Sequence, residues 1–147
     1  MRKAFGIVIG CTLLCGLVMA AMLAVPPPEP KPWIIEINLD PQTEGVNIPW
    51  FEVSYADREV TTLQWINKTP SHCSVLFGGD TPIVDKDNKE VHTIPLNRDQ
   101  ASESHKATNV PPPPPPERVP SNGIYKLYKY TVKCGSVEID PGGGVRP

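Results

Sequence analysis

The chain has 147 residues and a formal net charge of -2 at pH 7, and 39% of its residues are hydrophobic. This length accommodates one domain of ordinary size. The lysines and arginines form no basic stripe, which argues against a nucleic-acid partner.

An uncharged apolar segment, residues 4–25, follows Arg2 and Lys3 near the amino terminus. It is about as long as a membrane-spanning helix requires, on the order of 20 residues. Under the positive-inside rule the two basic residues stay in the cytoplasm and the rest of the chain lies outside it. We therefore predict one N-terminal hydrophobic helix at residues 1–25 and a periplasmic or otherwise extracytoplasmic location, membrane-anchored or secreted. A transmembrane signal-anchor, a cleaved signal peptide and a lipoprotein leader ending its lipobox at Cys11 all remain open interpretations.

A proline-rich spacer, residues 26–32, separates this helix from a region with many strand signals. Beyond the spacer, apolar and polar residues alternate with period two in short segments bounded by turn residues. Several short strands at this spacing favour a β-sandwich over residues 33–141. Pro95 confines its strand to a sheet edge or to a strand end. The predicted strands are residues 33–39, 50–55, 59–67, 73–77, 91–96, 124–134 and 137–139.

The aromatic residues divide into two groups. Trp65, Tyr128 and Tyr130 are expected in the core of the sandwich. Trp33 and Trp50 are expected to pack in the core or at the domain edge, with partial exposure to a partner as the alternative.

Residues 97–122 contain six consecutive prolines, at 111–116, and almost no aliphatic side chains. This composition predicts a disordered, exposed insertion in the sandwich. The proline run is interpreted as an inert spacer, with a ligand for a proline-reading groove as the alternative. Because the three glycines at 142–144 precede no helix, residues 142–147 are predicted to form a flexible tail.

Cysteine usage agrees with export. Cys11 and Cys15 lie in the apolar segment, where they act as small hydrophobic residues. Cys73 and Cys134 lie in the part predicted to reach an oxidising compartment. An even number of cysteines there makes a disulfide between them the default expectation, and two unpaired buried thiols the alternative.

Two segments resemble the two halves of the metal-binding end of a cupredoxin. The first runs from Trp65-Ile66-Asn67 to residues 71–77, and the second contains Tyr128, Tyr130 and Cys134. The resemblance to this plastocyanin- and azurin-type family implies a Greek-key β-sandwich. It extends loosely over residues 33–141 and is specific at 60–77 and 123–141.

The same resemblance implies a degenerate copper site. A blue-copper centre uses two histidines and one cysteine, often with a weak axial methionine. Neither histidine nor methionine follows Cys134. Alignment on Phe77 places Cys73 where the family has its upstream histidine ligand, and strand parity directs both cysteines into the same core. The prediction that follows is a Cys73–Cys134 disulfide in place of the metal, with no cofactor.

The histidines provide a competing hypothesis. Imidazole and thiolate suit copper, so a non-standard copper site of His72, Cys73, His92 and Cys134 is the alternative. No tight ligand spacing supports it. His72 and His92 are expected on the surface, and His105 in the predicted disordered insertion.

No catalytic motif is present. The sequence contains neither a Gly-x-Ser-x-Gly element nor a glycine-rich loop that leads into a helix and could hold phosphate. We therefore expect a non-catalytic module of the cell envelope, joined to the membrane by its N-terminal segment and engaged in protein interaction or scaffolding. Its partner is expected to be another envelope protein, whose identity the sequence does not give. The alternative is a copper-binding or electron-transfer protein that uses the Cys/His set.

Overall fold

The computed structural model describes residues 29–40, 42 and 45–147. The predicted N-terminal helix and the first part of the proline-rich spacer lie outside these residues. Within the described part, no helix is long and apolar enough to cross a membrane.

The regular secondary structure of the described residues consists of short β-strands, with 3-10 turns at Tyr55–Asp57 and Pro116–Arg118. The strands are β1 (Lys31–Ile37), β2 (Trp50–Ser54), β3 (Thr61–Asn67), β4 (Cys73–Leu76), β5 (Thr93–Leu96), β6 (His105–Lys106), β7 (Lys126–Lys129), β8 (Thr131–Cys134), β9 (Val137–Ile139) and β10 (Gly142–Arg146). An all-β fold is thereby confirmed.

The described strands form three sheets around one core. Their orders are β1-β3-β6, β2-β10-β7 and β5-β4-β8-β9. The β1–β3 and β2–β10 pairs are parallel, whereas the other pairs are antiparallel. The strand that contains Pro95 is β5, which lies at a sheet edge as that proline requires.

The core follows directly from the period-two alternation of side chains. Along β3, every second residue is buried, from Thr61 to Asn67. Trp65 and Tyr130 pack edge to face with ring centroids 5.8 Å apart, and Phe77 lies 5.4 Å from Tyr130. Burying an aromatic side chain of this size contributes roughly 1.5–3 kcal/mol. Trp65, Tyr128 and Tyr130 are therefore core residues, as predicted.

The predicted strand at 124–134 is divided in the structure. β7 pairs with β10, β8 pairs with β4, and Tyr130 lies between them. The Tyr130 amide bonds to the Pro141 carbonyl at 3.2 Å. One extended segment thus passes from the second sheet to the third. Its side-chain alternation continues through the change, which is why the sequence pattern shows a single strand.

Residues 142–146 form β10, so the prediction of a flexible tail at 142–147 was wrong. β10 lies between β2 and β7 and pairs with both. A Cβ atom on Gly143 would lie 2.3 Å from the ring of Phe51, which is fully buried. Only glycine lets the backbone approach the core this closely. The three glycines are therefore a packing requirement.

The segment 97–122 also differs from the disordered insertion predicted there. Residues 100–107 run along β3, and β6 completes that sheet. Ser102 donates its amide to the Trp65 carbonyl at 2.8 Å and accepts the Trp65 amide at its hydroxyl at 3.0 Å. Ala107 and Val110 are buried in the core. Backbone hydrogen bonds order this segment, and a composition poor in aliphatic residues does not reveal them.

His105 is buried in this segment with 8% of its surface exposed, contrary to the expected mobile position. Burial lowers the pKa of its imidazole from the ordinary 6.5, although the carboxylates of Glu103 and Asp85 oppose the shift. The folded state therefore disfavours the charged ring.

We expect His105 to make folding less stable in mild acid. The unfolded chain binds a proton near the ordinary histidine pKa, whereas the folded chain resists it, so stability is lost as pH falls below about 6.5. Urea unfolding at pH 7.5 and pH 5.5 should show that the wild type loses more stability than His105→Asn. Equal losses in the two proteins would contradict this account.

Candidate functional site

Cys73 and Cys134 form a disulfide between directly paired residues of β4 and β8. Their Cα atoms are 4.2 Å apart, and their residues are 3% and 2% exposed. Neighbouring antiparallel strands bring such directly opposite residues together without further adjustment of the backbone. Both sulfur atoms belong to the disulfide, so neither cysteine is a free thiol, and both lie inside the core.

Asn67 organises the loop that leads into this disulfide. Its side-chain amide donates to the carbonyls of Ser71 at 2.7 Å and Asn97 at 3.0 Å. Its Oδ1 accepts the Thr69 amide at 2.9 Å and the Thr69 hydroxyl at 2.8 Å. This oxygen also lies 3.3 Å from the Cys73 sulfur, a contact without a shared proton because the sulfur is bonded. A fully buried asparagine with these partners has a structural role.

The histidines of the alternative copper site do not converge on the disulfide, because the His72 side chain is exposed although it precedes Cys73, and His92 lies at the far end of the β4–β5 ladder. His72 is exposed, with Nδ1 3.0 Å from the Asn97 side-chain oxygen, and His92 is exposed, with Nε2 3.1 Å from a Glu90 carboxylate oxygen. They flank opposite ends of the β4–β5 ladder, since the Phe77 amide bonds to the His92 carbonyl. Five residues of strand separate those ends by about 17 Å. Among the residues that the structure describes, no three His, Cys, Asp or Glu side chains are grouped as metal ligands would be.

The proline run, Pro111–Pro116, is bonded to the domain at its start and ends in a 3-10 turn. Tyr125 donates its hydroxyl to the Pro111 carbonyl at 2.7 Å. Just before the run, the hydroxyl of the buried Tyr128 donates to the Asn109 carbonyl at 3.1 Å, and burial raises the pKa of Tyr128 to about 12. At the other end, the amide of Arg118 bonds to the Pro115 carbonyl at 2.8 Å and closes a 3-10 turn.

The prolines between these two ends face solvent. Five of the six are exposed and Pro114 is half-buried. Pro115 has φ −50° and ψ 145°, close to polyproline II geometry. Glu117 and Arg118, immediately after the run, are exposed and form no ion pair with any described residue. The run is therefore an ordered, displayed segment.

No protein-family model and no curated protein matches this chain. One solved structure is similar in shape, the McoA multicopper oxidase from the hyperthermophile Aquifex aeolicus. The TM-score is 0.44 and the sequence identity 7%, over 80% of this chain and 30% of the oxidase chain. This chain therefore spans less than a third of the length of that enzyme. A likeness of this size does not transfer a copper site or an activity.

Sequence reasoning missed the outer face of the β2-β10-β7 sheet. Trp50 on β2 is 40% exposed there, and Leu127 on β7, across β10 from β2, is 61% exposed. Partial exposure of Trp50 was considered only as an alternative to core or edge packing. No local signal pairs these residues, because β10 has only glycines, at 142–144, where it lies between them.

Proposed function

We propose that this protein is a non-catalytic binding module of the cell envelope that displays its proline run to an aromatic-lined partner. The observation that supports this is the run itself, an exposed polyproline segment whose start is bonded to a folded domain and whose end closes a 3-10 turn. Polyproline II segments lose little conformational entropy on binding, and aromatic grooves recognise them. Anchoring on the sandwich reduces that entropic cost further.

We also propose that the fold is a cupredoxin-like sandwich in which the disulfide replaces the copper site. Cys73 and Cys134 occupy the positions that the family resemblance associates with metal, and they bond to each other. The competing copper hypothesis requires His72 and His92 to converge on these sulfurs. Their positions at opposite ends of the β4–β5 ladder do not favour it.

Site-specific photo-crosslinking tests the role of the proline run. A photoreactive amino acid would replace Pro113 in the full chain, and the matched control would carry it at Asp87, in the exposed turn at residues 85–88. We expect a discrete protein adduct from position 113 in envelopes of the source organism and none from position 87. Identical adduct patterns from both positions would contradict a specific role for the run.

A further inference from the structure

The outer face of the β2-β10-β7 sheet, here called the Trp50 face, combines apolar and charged groups. Trp50 and Leu127 provide its exposed apolar surface. Glu52 and Arg146 form a two-pronged ion pair beside them, with N–O distances of 2.7 and 3.1 Å. Lys129 lies across β10 from Trp50.

The indole of Trp50 is held against the backbone of β10. A Cβ atom on Gly142 would lie 3.0 Å from Cζ3 of the indole, and one on Gly144 would lie 3.0 Å from Cζ2. The Ile124 side chain lies over Gly144 on the same face, 2.8 Å from that Cβ position. One side of the indole therefore packs on the β10 backbone, and its remaining surface faces solvent. A rigid, half-exposed indole of this kind is a pre-organised anchor for a ligand.

The dimensions of the Trp50 face indicate a narrow ligand. Three strands spaced about 4.8 Å apart make it roughly 10 Å wide. A stable interface between two globular surfaces needs about 800 Å² on each partner, which is several times the area of this sheet. The five prolines before the 3-10 turn extend about 16 Å and are one chain wide, so they fit the face.

The chain itself displays such a segment at Pro111–Pro116. The run of the same molecule stays exposed: the Tyr125 hydroxyl holds its start at the Pro111 carbonyl, and Arg146 of the Trp50 face bonds to the Asn122 carbonyl beyond it at 2.9 Å. The exposed Glu117 and Arg118 of a second copy would bring opposite charges to the Arg146–Glu52 pair, as complementary interfaces require.

We propose that the Trp50 face of one copy binds the proline run of a second copy. This inference rests on the proposed function, that the run is a binding ligand, and it identifies the partner as the protein itself. The contact is head-to-tail, so a pair joined by one contact retains one free face and one free run, through which further copies can add.

Two differently tagged full-length copies in the same membranes test this arrangement. The first copy carries a photoreactive amino acid at position 113, and adducts that contain both tags are quantified. Trp50→Ala in the second copy should reduce the mixed adduct about tenfold or more, in keeping with the loss of a central aromatic anchor. The same substitution in the first copy should not reduce the yield, because that copy contributes only its run to the mixed adduct.

Two further variants of the second copy separate binding from folding. Leu127→Glu places a charge at a side chain that is 61% exposed and should also abolish the mixed adduct. Val137→Ala changes another exposed apolar residue, on β9 in a different sheet, and should have no effect. If Trp50→Ala does not accumulate, Leu127→Glu alone decides the result.

The outcomes distinguish the two proposals. An adduct that contains a different protein and never the second tag would overturn self-recognition and leave the proposed function standing. A mixed adduct that survives both Trp50→Ala and Leu127→Glu in the second copy would overturn the Trp50 face as the receptor. No adduct beyond that of the position 87 control would overturn both.

Discussion

Reduction of the Cys73–Cys134 disulfide is expected to lower the free energy of unfolding by about 4 kcal/mol, the chain-entropy value for a loop of this length. The two cysteines are 61 residues apart in sequence. The bond restricts the unfolded chain over most of the region that builds the third sheet, including β4, β5 and β8. Because a domain of this size is stable by only about 5–15 kcal/mol, reduction should remove a large share of its stability.

Urea unfolding of residues 26–147, with and without reductant, measures this effect. With a slope of about 2 kcal/mol per molar urea, the midpoint should fall by roughly 2 M on reduction. Cys73→Ala combined with Cys134→Ala serves as the control, since its midpoint should not respond to reductant. Equal midpoints for the oxidised and reduced wild type would show that the bond does not stabilise the fold.

Gly143→Ala is expected to destabilise the protein by about 3 kcal/mol, at the upper end for overpacking a core. The added methyl group would lie 2.3 Å from two atoms of the Phe51 ring. Phe51 is fully buried and cannot move outward, so either β10 or the core must shift. The loss should appear as a lower urea midpoint with the disulfide intact.

Gly79→Ala is the matched control for this substitution. A Cβ atom there meets nothing within 4 Å, so the change in stability should remain within about 0.5 kcal/mol. A flexible carboxyl-terminal tail would make both substitutions neutral. A large loss of stability for Gly143→Ala alone would therefore establish that β10 is part of the folded sheet.

Reduction of the disulfide and Gly143→Ala affect different sheets. The disulfide joins β4 to β8 in the third sheet, whereas Gly143 holds β10 between β2 and β7 in the second. Tyr130 lies at the junction where β7 passes into β8, and it packs against Phe51 on one side and Phe77 on the other. The Trp50 face depends on β10, so Gly143→Ala should weaken self-recognition as well as stability.

The strands that carry their own alternation were predictable from sequence. β3, β4 and β8 place Trp65, Val75 and Val132 inward, and the period of two alone assigns those faces. Parity likewise directed Cys73 and Cys134 into one core. The exact register that pairs them residue to residue became visible only when β4 and β8 were placed side by side.

Other elements have no such local signal. Ser102 and its neighbours are ordered by hydrogen bonds to β3, a strand that precedes them by some forty positions. Their own composition does not reveal these distant partners, and it therefore suggested disorder. His105 is buried for the same reason. The division of residues 124–134 into β7 and β8 reflects a change of partner strand, which side-chain alternation does not record.

The amino-acid sequence by itself determined the all-β class, the inward faces of the alternating strands, the surface position of the proline run and the presence of two cysteines able to pair. These properties follow from short-range rules: a strand alternates with period two, and a proline run cannot join a central ladder. The tertiary structure alone decided that Gly142–Arg146 is a central strand and that Trp50 rests on it as a half-exposed anchor. Because glycine has no side chain, it adds nothing to the pattern of apolar and polar residues, and its role is visible only where another part of the chain approaches its backbone.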